Sequence, residues 1–120
     1  MIRIKRIYDP PSDTDGYRVL VDRLWPRGIS RENAQIDAWL KEIAPGDQLR
    51  RWYGHDPTRW LKFREHYLEE LSGHSEVASE LRQKAKTVTV TLLFAAKDIE
   101  HNNAVVLKEF LEHFEKEYDL

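Results

Sequence analysis

The chain contains no cysteine. That absence excludes disulfides, thiolate nucleophiles, iron–sulfur clusters and cysteine-ligated zinc together. No stretch is long and apolar enough to span a bilayer, and the basic start Met1-Ile2-Arg3-Ile4-Lys5-Arg6 is not followed by an apolar signal core. The five histidines contain no His-Glu-x-x-His or His-x-x-x-His pair, so no metal site is expected. Ser30 follows Gly28-Ile29 without the Gly-x-Ser-x-Gly of a nucleophile elbow, and Gly28 lacks the companions of a phosphate loop. Repeats, low-complexity tracts and linkers are missing too, so residues 1–120 read as one domain. The expected setting is a reducing cytoplasm, with no cofactor and no membrane partner.

A strong charge of either sign is also missing, since the formal net charge is only −2. Its distribution is uneven. Residues 1–64 carry 13 Lys/Arg against 9 Asp/Glu, a net of +4, whereas residues 65–120 carry 6 against 12, a net of −6. That polarity permits an anion-binding face but falls short of the basic balance of a dedicated nucleic-acid binder. Glu109, Glu112, Glu115 and Glu117 read as the solvated face of a terminal helix.

Ile2, Ile4 and Ile7 between basic residues predict a strand near 2–7. The stretch Asp9 to Gly16 is rich in turn formers, and Tyr17 to Asp22 reads as a mostly buried strand. Thr87 to Ala95 is the best strand candidate, suited to the centre of a sheet covered on both faces. Asp56-Pro57 supplies a helix cap, after which Trp60, Phe63, Tyr67 and Leu71 recur at helical spacing up to Ser72-Gly73. A shorter helix is predicted near 75–85, and another from about Asn103 to Tyr118 with Ala104, Leu107, Leu111, Phe114 and Tyr118 on one face. Residues 30–45 are ambiguous, because Ile36, Trp39, Leu40 and Ile43 fit a helix that Ala44-Pro45-Gly46 would stop.

Two polar segments follow the strongest strands. The first is Asp22-Arg23-Leu24-Trp25-Pro26-Arg27-Gly28. Guanidinium groups keep their charge at any physiological pH and grip phosphate or carboxylate through two parallel hydrogen bonds. Arg23 and Arg27 are therefore candidate anion binders, with Asp22 to orient an arginine or a ligand hydroxyl or to act as a base. The plainer alternative is an internal ion pair that pins the loop. The second segment is Lys97-Asp98-Ile99-Glu100-His101-Asn102-Asn103. A helix beginning near Asn102 would offer free N–H groups and a positive pole to an anion, with Lys97 and Asn103 beside it. Either Asp98 or Asn102 could cap that helix. His101 is the first choice for moving protons, because imidazole titrates near working pH. His55, at the cap of the helix near 57, is a second candidate. Arg50-Arg51-Trp52-Tyr53 with Arg59-Trp60 interleaves cations and aromatics, a weaker pointer to nucleic acid.

Val21-Asp22-Arg23-Leu24-Trp25-Pro26-Arg27-Gly28, Trp39-Leu40-Lys41-Glu42-Ile43-Ala44-Pro45, Tyr53-Gly54-His55-Asp56-Pro57 and Leu92-Leu93-Phe94-Ala95-Ala96-Lys97-Asp98 with His101-Asn102-Asn103-Ala104 stand in a specific order. Together they resemble the short, YeaO-like branch of the domain of unknown function family 488, over essentially the whole chain. The resemblance implies an α/β sheet with a short helical turn and a strand near 36–41. Strands ending at Asp22, Lys41 and Ala96 would then open onto one edge, which adds Lys41 to the candidate ligand contacts. The family's longer branch carries a Cys-His-Arg-like segment after its last core strand. Here Glu100-His101-Asn102-Asn103 stands at the comparable place, so a thiolate mechanism has no counterpart.

The expectation is therefore an α/β domain of about four mainly parallel strands with helices on both faces. It would bind an anionic, phosphate-bearing, nucleotide- or sugar-like molecule at the strand carboxyl ends. Ligand contacts would be Arg23, Arg27, Lys41, Lys97, Asp98, Asn102 and Asn103. Hydrolase or transferase chemistry assisted by His101, Asp22 and His55 is one version; a non-catalytic ligand sensor or nucleic-acid-binding module, as a monomer or homodimer, is the other.

Overall fold

The computed structural model describes residues 1–113. Among them the order is β1 (Ile2–Arg6), β2 (Tyr17–Leu20), α1 (Arg31–Ala34), β3 (Ala38–Trp39), α2 (Asp47–Tyr53), α3 (Trp60–Ser72), α4 (Ser75–Ala85), β4 (Val90–Phe94) and α5 (Asn103–His113). The strands form one sheet in the order β1-β4-β2-β3, and every pairing is parallel. This is the α/β fold expected from the alternation of strand-like and helical segments. Phe114 and Tyr118 of the expected helical stripe, and Glu115 and Glu117 of its polar face, lie outside the described residues.

β4 occupies an interior position and is buried at all five of its residues, as a run that is apolar except for Thr91 requires of a strand covered on both sides. Val90, Leu92 and Phe94 join Ile2, Val19 and Val21 in the larger core, against Phe63, Tyr67, Leu71, Ala78, Leu81 and the inner face of α5. The alternate residues Leu20 and Leu93 face a smaller cluster with Ile7 and Ala34, closed by Trp25, Ile29, Ile36 and Trp39. The two layers are thus unequal. Longer helices cover the first face, while α1 and its flanking loops cover the second.

The second face also holds a buried polar knot. Asp15 accepts hydrogen bonds from Lys5 Nζ at 3.0 Å and Arg18 Nη1 at 2.6 Å, and Arg18 donates further to the carbonyls of Ala34 and Gln35. Arg18 and Asp15 are 5% and 3% exposed, so each needs the other to remain charged out of water. Gly16 bends the chain from this knot into β2 at φ +65°, where an added Cβ would lie 2.3 Å from the Thr89 carbonyl oxygen. Only glycine fits.

Two segments differ from their local sequence pattern, one within residues 30–45 and one just after it. The chain makes one turn of helix capped by Ser30, then the two-residue β3, in line with the family-based expectation. Parallel pairing of Ala38 with Val19 and Trp39 with Leu20 decides the matter, because non-local partners override local periodicity. α2 was not expected at all. Its Leu49 and Tyr53 are buried four residues apart, and Gly54 closes it in the left-handed region at φ +52°.

The topology opens a gap at the carboxyl edge. After β2 the chain turns to the second face through Trp25 and Ile29, whereas after β4 it continues into α5, whose Ala104, Leu107 and Leu111 pack on the first. Two adjacent parallel strands whose continuations part to opposite faces leave a crevice between them, the usual ligand position in open α/β sheets.

Candidate functional site

That crevice is a cleft of about 860 Å³. Three chain segments line it: the β2 exit from Asp22 to Arg27, the α2 end from Arg50 to His55, and the β4 exit from Ala95 to Asn103. Leu24, Trp25, Pro26, Pro45 and Phe63 supply apolar wall, and Tyr8 closes one side with its hydroxyl donating to the Arg27 carbonyl at 2.7 Å.

Asp22 is the joint of this edge. Its Oδ2 accepts the Ala95 backbone N–H at 2.9 Å and its Oδ1 accepts from Asn103 Nδ2 at 3.0 Å. The same Asn103 amide donates to the Val21 carbonyl at 2.9 Å, so one carboxylate ties β2, β4 and the start of α5 together. Burial raises the Asp22 pKa above the ordinary aspartate value; the Asn103 and Ala95 donors and the nearby His55 oppose that rise without cancelling it. Asp22 does not pair with Arg23. Arg23 instead donates from Nε to the Pro45 carbonyl at 3.0 Å and from Nη2 to the Ala44 carbonyl at 3.3 Å. The internal Asp–Arg ion pair considered from the sequence is not formed, and the guanidinium keeps its charge inside the cleft.

The other cations come from different elements. Arg27 and Lys97 are exposed on the two loops, and Arg50 and Arg51 stand in the last turn of α2, where the negative helix pole favours them. The acids of the cleft are Asp22, already committed, and Asp98. Asp98 accepts the backbone N–H groups of Glu100 and His101 on Oδ1, at 2.9 and 3.0 Å, and faces His101 Nδ1 on Oδ2 at 3.0 Å. Those donors hold its carboxyl below the usual aspartate value, the Glu100 N–H foremost. The cleft therefore carries a surplus of positive charge.

His101 itself is placed away from the cleft lining. Its ring meets Trp60 edge-on at 5.2 Å between centroids, and its carbonyl accepts the Tyr53 hydroxyl at 2.8 Å. Lys41 also stands apart, with Nζ 4.0 Å from the centre of the Trp39 ring. Asn102 is 2% exposed, and its Oδ1 accepts the Val105 N–H at 3.1 Å, so Asn102 rather than Asp98 caps α5. Part of the helix end that was expected to hold an anion is thereby satisfied internally. His55 does line the cleft, in the left-handed region at φ +58°, an uncommon conformation for a side chain of this size. The structure thus brings together Asp22, Arg23, Arg27, His55, Lys97, Asp98, Asn102 and Asn103, and leaves His101 and Lys41 outside.

Arg50 and Arg51 join them, although the sequence presented them only as part of a cation–aromatic run. The signal that would have placed them is the Asp47, Leu49, Tyr53, Gly54 pattern of a short capped helix. Among the described residues no group of three or more His, Asp or Glu side chains is arranged to hold a metal ion, and no helix is long and apolar enough to cross a membrane.

The fold and cleft define a small parallel α/β protein with a cationic crevice at a topological switch point. The chain belongs to the DUF488-N3i family, described as the inactive DUF488-N3 subclade, whose model matches residues 1–119. It is 44% identical over 110 residues to the uncharacterized protein YeaO of Escherichia coli strain K12, covering 92% of this chain and 96% of that one. It is 38% identical over 110 residues to the uncharacterized protein Rv3073c of Mycobacterium tuberculosis strain H37Rv, covering 92% of each. An uncharacterized protein of Mycobacterium bovis, Mb3100c, matches to the same extent. No solved structure gives a significant match.

Proposed function

We propose that the cleft binds a small organic anion, a phosphate-bearing molecule of nucleotide- or sugar-like kind, and holds it without turning it over. The observation that carries this reading is the convergence of Arg23, Arg27, Arg50, Arg51 and Lys97 on one crevice whose two acids are already engaged. Low-dielectric walls focus the field of such a cluster on whatever enters. The apolar wall of Leu24, Trp25, Pro26 and Phe63 suits the body of the ligand. Two features favour binding over catalysis. His101, the first candidate for proton transfer, is held against Asp98 and Trp60 outside the lining. The matching family model, moreover, is described as inactive.

Calorimetric titration with adenosine monophosphate and ribose 5-phosphate, using adenosine and ribose as uncharged controls, tests the reading. The phosphorylated molecules should bind and the controls should not. Arg27→Ala should weaken binding by roughly tenfold, the cost of losing one hydrogen bond to a charged group, and Lys97→Ala by only about threefold, the cost of losing a neighbouring charge. Equal binding of charged and uncharged molecules, or of none, would remove it.

A second reading keeps proton transfer but moves it to His55 beside the Asp22 carboxyl, on the strength of the left-handed backbone that holds His55 at the cleft. Product formation from either phosphate, lost in His55→Ala, would favour this version. Binding of an oligonucleotide with a steep salt dependence would favour the nucleic-acid version.

A further inference from the structure

Arg50 carries an unexplained feature. Its Nε is the one buried side-chain nitrogen or oxygen among the described residues without a hydrogen-bond partner. Buried donors, above all charged ones, are normally satisfied, and an orphan marks a place where a water, an ion or a ligand belongs. Among the described residues the only partner of its guanidinium is a long contact from Nη2 to Asp47 Oδ1, at 3.4 Å between two partly exposed side chains. Nε and Nη1 have no hydrogen-bond partner among the described residues, on a residue that lines the cleft.

The surroundings are built in the same sense. Arg23 is fixed to the carbonyls of Ala44 and Pro45, which immediately precede α2, so a second guanidinium is anchored to the segment that leads to Arg50. The Gly46 N–H that starts α2 is held by Glu70 Oε1 at 2.8 Å, which ties the helix bearing Arg50 to α3. Arg51 follows, exposed and with no ion pair among the described residues. A guanidinium presents Nε and Nη as parallel donors that match two oxygens of one phosphate group, whereas an ammonium acts as a point charge.

Taking the anion-binding reading above as given, we propose that Arg50 is the residue that grips the terminal oxyanion. The ligand is then a phosphomonoester, whose doubly charged end lies between Arg50 and Arg23 and whose organic body lies along Trp25 and Pro26. Lys97, on the opposite loop, attracts the ligand by charge and does not fix its orientation.

Titrate the purified protein with inorganic phosphate and with phenyl phosphate at one pH and one ionic strength, comparing wild type, Arg50→Lys, Arg50→Gln and Lys97→Gln. Circular dichroism checks that each variant is folded, and the conservative Arg50→Lys keeps the charge if Arg50→Gln fails to fold. Arg50→Lys should weaken both ligands at least tenfold, because it loses the paired donors, and Lys97→Gln should weaken them by only about threefold. Wild-type affinity in Arg50→Lys, with binding abolished in Lys97→Gln, would overturn the assignment to Arg50 and leave anion binding standing. Failure of the wild-type protein to bind either probe at millimolar concentration would overturn both.

Discussion

Replacing Asn103 by alanine isolates the joint on which the cleft depends. Its Nδ2 donates to the Asp22 carboxylate at 3.0 Å and to the Val21 carbonyl at 2.9 Å. A hydrogen bond to a charged group is worth about 1.5–3 kcal/mol and one to a neutral carbonyl about 0.5–1.5 kcal/mol. Alanine returns about 0.5 kcal/mol as a better helix former in the first turn of α5. The net loss is about 2 kcal/mol, since the site is only partly closed to water. With a urea slope of about 1.5 kcal/mol/M the unfolding midpoint should fall by roughly 1.3 M. The loss should also depend on pH, and the sign follows from Asp22. Burial raises its pKa, so the folded chain takes up this proton more readily than the unfolded one. Stability from the site therefore increases as pH falls through the raised value toward the ordinary one. Removing a donor to the charged form raises the pKa further, so Asn103→Ala should cost most where Asp22 is charged and progressively less as pH falls through its raised pKa. A loss under about 0.5 kcal/mol, or a loss that grows as pH falls through the acid range, would refute the carboxylate joint.

Gly16→Ala should cost more than about 2 kcal/mol, because φ +65° and the Thr89 carbonyl both oppose a Cβ; thermal unfolding measures it. His55→Gly should raise stability by roughly 0.5–1 kcal/mol by relieving the left-handed backbone, while weakening phosphate binding if the imidazole serves the cleft. A fall in stability would show that the ring contact with Tyr53 outweighs the strain. Acid should expose the Asp15 knot. Burial opposes its charge, but the donors Lys5, Ser12 N–H and Arg18 outweigh burial and hold its pKa below the ordinary aspartate value. The stability it contributes is present above that value and is lost as pH falls through the lowered one, so Asp15→Asn should flatten the acid limb of the unfolding profile.

Much of the fold was legible because burial leaves a periodic trace. The apolar run of β4, the Trp60, Phe63, Tyr67, Leu71 stripe of α3 and the Asp56-Pro57 start all act within a few residues of themselves. β3 was not legible from local pattern, since its two residues are strand only through pairing with Val19 and Leu20, and only the family resemblance pointed to it. α2 is too short to show a full stripe and was masked by its own cations.

The cleft divides in the same way. Strand ends placed Asp22, Arg23, Arg27 and Lys97 near one edge. The direction of a side chain outside regular strands depends on the rings packed against it, and these turned His101 toward Trp60, distant in sequence, and Lys41 toward Trp39, two residues away. Arg50 came into the site because it stands about one turn before Tyr53 on α2, and both line the cleft.

The central claim is that the cleft at the carboxyl edge is an anion site. A crystal of the protein saturated with adenosine monophosphate tests it most directly. Phosphate oxygens at hydrogen-bond distance, about 2.7–2.9 Å, from guanidinium groups among Arg23, Arg27, Arg50 and Arg51 would be the predicted result. Ordered ligand elsewhere on the surface, with those arginines unchanged and the cleft holding only water, would contradict it.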